Sequence, residues 1–168
     1  MYKSHERALE ALARRGRRRS LVAISGADFT SNDYLGLAAS NELKSAARAA
    51  IERDVPSGAG GSRLLRGNHR EHEALESEAA AFFGAESALF FGGGYMANLA
   101  LFSTLPQRGD VVVHDALIHA SVHDGMRMGK AERAEARHND AQAFEDVIKD
   151  WRAAGGTGTP WIAVESLY

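Results

Sequence analysis

The chain of 168 residues is 45% hydrophobic and 25% charged, the balance of one soluble globular domain rather than of a disordered, collagen-like or membrane-embedded chain. It contains no cysteine, which removes thiolate catalysis, cysteine zinc sites and a disulfide framework. Twenty Lys and Arg against 22 Asp and Glu leave a formal net charge of −2, too even for a global nucleic-acid or membrane footprint.

The first twenty residues carry seven basic side chains, including Arg14, Arg15, Arg17, Arg18 and Arg19, against Glu6 and Glu10. Ala8, Leu9, Leu12 and Ala13 form a helical stripe among them, so the segment reads as a short amphipathic helix ending at Gly16 rather than a transit peptide. No apolar run approaches a membrane span and no signal-peptide core follows Met1, which points to the cytoplasm. Leu43, Ala46, Ala47, Ala50 and Ile51 predict a second helix behind a Ser40 cap. A third is predicted from Asn68, with Glu71 as capping-box partner, through Leu75, Ala79, Phe82 and Phe83 to Gly84.

Ala88 to Phe91 reads as a short buried strand running into Gly92, Gly93 and Gly94. Met96, Leu99 and Leu105 mark the next helix, and Val111 to Val113 the next strand. Phe144, Val147, Ile148 and Trp151 define a helix behind Asp140, and Trp161 to Val164 a last strand. This alternation predicts an α/β fold with a mainly parallel sheet flanked by helices. A chain ending at Leu167 and Tyr168, directly after a buried strand, reads as interrupted; the alternative is a small complete sheet with an edge strand.

Two clusters carry candidate chemistry. Glycines 92–94 let the backbone approach an anion closely, and the following helix start aims unpaired amides and the positive end of its dipole at it. Neither a P-loop nor a GxGxxG fingerprint is present, so two readings stand: a phosphate cradle, or a tight turn with no ligand. His114, His119 and His123 accompany Asp115 and Asp124. His119 and His123 are four apart, as a zinc pair on a helix would be, but no HExxH glutamate or third ligand supports a metal. A satisfied structural role is the default for His5, His69, His72 and His138, whereas His119 is a candidate for stacking on a flat ring or moving a proton.

Ser31-Asn-Asp-Tyr-Leu-Gly-Leu37, Gly58-Ala-Gly-Gly-Ser-Arg63, Gly92-Gly-Gly-Tyr-Met-Ala-Asn98, His119-Ala-Ser-Val-His-Asp-Gly125 and His138-Asn-Asp140 stand in the order and approximate spacing of the α-oxoamine synthases. From about Ala8 onward the chain resembles the N-terminal part of these fold type I enzymes, which use pyridoxal 5'-phosphate (PLP) to join an amino acid to an acyl thioester with loss of carbon dioxide. The resemblance implies an N-terminal arm and helix over 1–38 and the first, truncated part of the large PLP-binding domain over 39–168. The best-fitting branch is the one that condenses L-alanine with a pimeloyl thioester carried by CoA or acyl carrier protein. The 5-aminolevulinate-forming branch is close behind, with Thr usual where this chain has Ser62. A reading of another class is a non-catalytic phosphate-binding or assembly module.

The same resemblance implies that the amides of Gly94 and Tyr95 hold the cofactor phosphate and that His119 stacks on the pyridine ring as the catalytic residue. It places Asn32 near the active site at a homodimer interface, with Ser62 and Arg63 in a loop of that region. Arg17, with Arg18 and Arg19 beside it, is the nearest match to an arginine that meets the distal carboxylate of the acyl substrate. Members of the family are well over twice as long. The lysine that links to the cofactor and the aspartate that pairs with its ring nitrogen lie in the part not matched. None of Lys3, Lys44, Lys130 and Lys149 stands in the family's lysine context.

Overall fold

The computed structural model describes residues 2–21, 23, 26–27 and 29–167. Tyr168, the last residue of the sequence reading, lies outside them. The chain forms two compact units, Met1–Ser62 and Arg63–Tyr168, and the boundary drawn from sequence after residue 38 falls inside the first. Among the described residues no helix is long and apolar enough to cross a membrane.

The first unit carries α1 (Lys3–Arg14) and α2 (Asn41–Glu52), with a 3-10 turn at Leu37–Ala39 between them. The stripe of α1 ends as expected, with Gly16 in the left-handed region at φ 65°. Ser40 caps α2 by accepting the Leu43 N–H at 3.2 Å, satisfying one of the amides that a helix start leaves open. Asp33 performs the same service for the turn, its carboxylate accepting the N–H groups of Leu37 and Ala38.

The second unit holds α3 (Arg70–Phe83), α4 (Gly94–Thr104), β1 (Val111–Asp115), α5 (Ala120–Met128), β2 (Glu132–Ala136), α6 (Ala141–Ala153) and β3 (Pro160–Ala163). The three strands form a sheet in the order β2-β1-β3, and both pairings are parallel, with Val113 opposite Ala134 and Ile162. The central strand is buried along its whole length. Its side chains alternate: Val112 packs with Ile118, Val122, Met126 and Ala163, whereas Val111 and Val113 pack with Ala136 and Phe144. Helices therefore cover both faces of β1, the arrangement that lets a parallel strand be apolar throughout. Burying each of these valines contributes about 1.5–3 kcal/mol.

Asp110 pins the entry to this sheet. Its carboxylate accepts the N–H groups of Gln107 and Thr159, both at 2.8 Å, and the Trp161 indole N–H at 3.1 Å, and these bonds hold it below the usual carboxylate range. Gly158 passes so close that a Cβ there would collide with the Gly109 carbonyl oxygen.

Several expectations are corrected. Ala88–Phe91 forms no strand, and Leu89 and Phe90 are exposed. A strand requires a ladder partner, and none of the described strands lies beside this segment. The third helix is capped by His69 and His72 rather than by Asn68 and Glu71; the His69 ring accepts the Glu71 N–H, and the His72 ring accepts the His69 N–H. Asn68 instead bridges Arg63 and Glu73. The stop at Gly84, left-handed at φ 62°, is as expected. Arg63 lies in a π-helical turn, Arg63–Gly67, rather than in a loop. Its guanidinium grips Glu76 through two bonds of 2.5 and 3.0 Å, and the second oxygen-sharing partner of Glu76 is the Phe90 N–H at 2.8 Å. Together, the Arg63 bond first, they hold the Glu76 carboxyl at about 2. Strand β2 has no counterpart in the sequence reading.

Candidate active site

The candidate site is built on the seam between α4 and α5. Gly93 is the N-cap of α4 and is extended; no side chain caps the helix, so the amides of its first turn, Gly94 and Tyr95 among them, are turned out with the positive end of the dipole. The turn needs no preceding strand to present them. Gly92, Gly93 and Gly94 have no heavy atom within 4 Å of where a Cβ would stand, so the space over this backbone is open to an anion.

His119 stands at the start of the neighbouring helix, its ring against Tyr95. It is not on the helix with His123: it is the N-cap of α5, its Nδ1 accepting the Ser121 N–H at 3.1 Å, while its own N–H donates to Glu165 at 2.7 Å. The four-residue spacing is therefore that of a cap and a residue one turn inside the helix, not of two positions on one helix. The His119 and Tyr95 rings meet edge to face, with centroids 6.4 Å apart. A helix start with open amides and an exposed imidazole are thus presented by two helices that the Tyr95–Asp124 bond ties together. A phosphate suits such amides and a flat ring suits such an imidazole, and the residues present fit PLP on this ground.

Two features hold the halves together. The Tyr95 hydroxyl donates to Asp124, whose other oxygen accepts Arg127 at 2.6 Å. The Asp124 bond pushes the Tyr95 phenol up, and the Tyr95 and Arg127 bonds push the Asp124 carboxyl down. Below this tie the helices touch backbone to backbone. A Cβ on Gly125 would lie 2.9 Å from Phe102 Cβ and 3.0 Å from the Asn98 carbonyl oxygen, and one on Gly129 would lie 2.7 Å from the Phe102 carbonyl oxygen. His123 faces the other way, its ring edge-on to the buried His114 at 4.9 Å. Burial, then the His114 and Arg127 charges, holds it below the usual imidazole range.

Asp115, 1% exposed at the end of β1, organises the loops behind the site. It accepts the N–H groups of Leu117 at 2.7 Å and Asn139 at 2.9 Å and pairs with the His138 ring at 2.9 Å. Burial pushes its carboxyl up, but these three donors outweigh burial and hold it at about 2, below the ordinary 3.8. A depressed folded pKa contributes stability that is complete above the unfolded value and is lost as pH falls through the folded one. Stability should therefore fall between about pH 4 and 2. Asp115→Asn should make that acid limb shallower while lowering stability at neutral pH. Denaturant unfolding at pH 7, 4, 3 and 2 reads both effects.

Gly94, Tyr95 and His119 all belong to the second unit and converge there. Arg17, Asn32 and Ser62 belong to the first unit and are exposed, with the Arg17 N–H donating to Leu12 and the Asn32 carbonyl accepting the Tyr34 N–H. Asn98, Ser121 and Glu165 carry no role in the sequence reading, and Asp124 appears there only as a neighbour of the histidines, because each acts through a partner brought close only by the fold.

Known proteins are similar to this chain in sequence and in fold. The chain is 39% identical over 173 residues to the 8-amino-7-oxononanoate synthase of Emericella nidulans, covering 95% of this chain and 42% of that protein. It is 42% identical over 140 residues to the synthase of the same name from Acidithiobacillus ferrooxidans, covering 83% and 35%. Among solved structures, a serine palmitoyltransferase from S. paucimobilis holding PLP joined to myriocin superposes with a TM-score of 0.73 at 27% identity, over 88% of this chain and 41% of that one. The chain thus spans about a third to two-fifths of the length of the curated relatives it matches. The profile of the class I and II aminotransferases matches residues 25–168, and the chain belongs to that family.

Proposed function

We propose that the chain is the N-terminal portion of a PLP-dependent acyltransferase that condenses L-alanine with a pimeloyl thioester, with decarboxylation, to 8-amino-7-oxononanoate. The observation that carries the reading is the uncapped start of α4 beside the His119 ring. The identity to proteins named 8-amino-7-oxononanoate synthase supports the choice of substrates. When bound, PLP supplies an electron sink for negative charge at the substrate α-carbon.

The protein's own residues hold and orient. The Gly94 and Tyr95 amides bind the phosphate dianion, and the Tyr95–Asp124 bond keeps that turn from swinging away. The His119 ring supports one face of the cofactor. Because its Nδ1 is engaged by Ser121, proton exchange with a ligand falls to Nε2. Arg17 meets the distal carboxylate of the acyl group, Asn32 and Ser62 line the substrate side, and the working form is a cytoplasmic homodimer.

Titrating this chain with PLP and with pyridoxal, followed by the His119 ring resonances, tests the phosphate site. PLP should bind at least about tenfold more tightly than pyridoxal, since charge-assisted bonds to two amides are lost without the phosphate. Equal affinities would overturn the reading. Borohydride reduction with PLP should label no single lysine stoichiometrically, because none of the four stands in the family's lysine context; peptide mass mapping reads the outcome.

A further inference from the structure

Ser121 is 0% exposed, and its hydroxyl lies 2.7 Å from the His119 Nδ1 and 3.0 Å from the Asn98 amide nitrogen. Asn98 stands one turn beyond Gly94 on α4, so a continuous hydrogen-bonded line joins the cradle helix to the candidate ring. The direction of that line is fixed by a group that has no choice. The Ser121 backbone N–H donates only, so the Nδ1 it meets at 3.1 Å must accept. A ring nitrogen that accepts cannot also donate to the Ser121 oxygen, so the hydroxyl gives its proton to Nδ1. Its oxygen then accepts from the Asn98 amide, which decides which way that amide faces.

We propose that Ser121, oriented by Asn98, is a positioning residue for His119: the pair fixes the neutral ring as the Nε2–H form and sets its plane. The inference rests on the reading that His119 meets the cofactor, since only then does the nitrogen that carries the proton matter to chemistry. A serine serving merely as part of the α5 start would satisfy the helix amides without deciding the tautomer. Among the described residues no other serine, threonine or tyrosine is buried.

The test is a long-range proton–nitrogen correlation of the His119 ring in this chain without cofactor, at about pH 8.5, where an ordinary imidazole is neutral. Wild type should show Nε2 in the protonated range and Nδ1 in the accepting range. In Ser121→Ala the excess of the Nε2–H form should shrink roughly three- to tenfold, the weight of one hydrogen bond, with the backbone bond retained. Asn98→Asp should shift the balance the same way, because a carboxylate draws the hydroxyl proton away from Nδ1. Ser121→Thr keeps the hydroxyl and should keep the wild-type pattern. If circular dichroism shows that Ser121→Ala does not fold, the nearly isosteric Asn98→Asp decides alone.

A predominant Nδ1–H form in wild type, or an unchanged excess in the folded Ala and Asp variants, overturns the proposal. Adding PLP separates this from the functional reading. Ring-carbon shifts of His119 on PLP addition belong to that reading, and their absence would sink it while leaving the tautomer result standing.

Discussion

In a full-length enzyme carrying this segment, His119→Ala should lower kcat/KM by about a hundred- to ten-thousandfold, the range of a lost proton-handling group. His123→Ala should stay within a few-fold of wild type. The two residues are four apart in sequence but differ in placement. The His119 ring is exposed beside Tyr95 and the open α4 start, whereas the His123 ring is set against buried His114 on the far side of α5. A loss shared equally by both variants would move the candidate site off His119, and with it the roles proposed for Gly94 and Tyr95. Steady-state kinetics with L-alanine and a pimeloyl thioester decide between these outcomes.

The second large effect is on stability. Gly125→Ala should cost about 1–3 kcal/mol, because the added methyl meets Phe102 Cβ at 2.9 Å and the Asn98 carbonyl at 3.0 Å. Neither neighbour is the free end of a flexible side chain, so α4 and α5 must part. The thermal midpoint should drop roughly 2–4 °C for each kcal/mol in a chain of this size. Gly109→Ala offers a contrast of mechanism: nothing crowds its Cβ, but its φ of 92° strains any L side chain. Thermal unfolding of both variants separates crowding from backbone strain, since only Gly125→Ala should also weaken the Tyr95–Asp124 tie and disturb the Tyr95 environment.

Most helices are legible because they declare themselves locally, whereas α5, capped by a histidine, has no counterpart in the sequence reading. Ser40 and Asp140 accept from the third residue of their helices, at Leu43 and Ala143, and Gly84 stops α3 in the left-handed region. The apolar Val111–Val113 run identified the central strand, since only a strand covered on both faces is apolar throughout. Edge elements were less legible. Strand β2 reads Glu-Arg-Ala-Glu-Ala, with a single fully buried position at Ala136, and such a sequence carries no core signal. Ala88–Phe91 has the opposite character, strand-like in composition yet unpaired, because pairing depends on a neighbour and not on the segment itself.

In the candidate site, the glycine run and His119 were visible through their residue types and order. The bonds that orient them were not. Asn98 to Ser121 spans 23 positions, Tyr95 to Asp124 spans 29, and His119 to Glu165 spans 46, and contacts of that range leave no periodicity to read.

The parallel sheet has one further implication. Since all three strands run the same way, their carboxyl ends deliver His119 after β1, the His138 to Asp140 turn after β2 and Glu165 after β3 to a single rim. The valines of β1 pack into the two core clusters beneath that rim. Framework and rim meet at Ile118, which follows β1 and packs against Val112, so a directed library over the two connections after β1 and β2 would vary the positions around Ile118 and keep that residue itself.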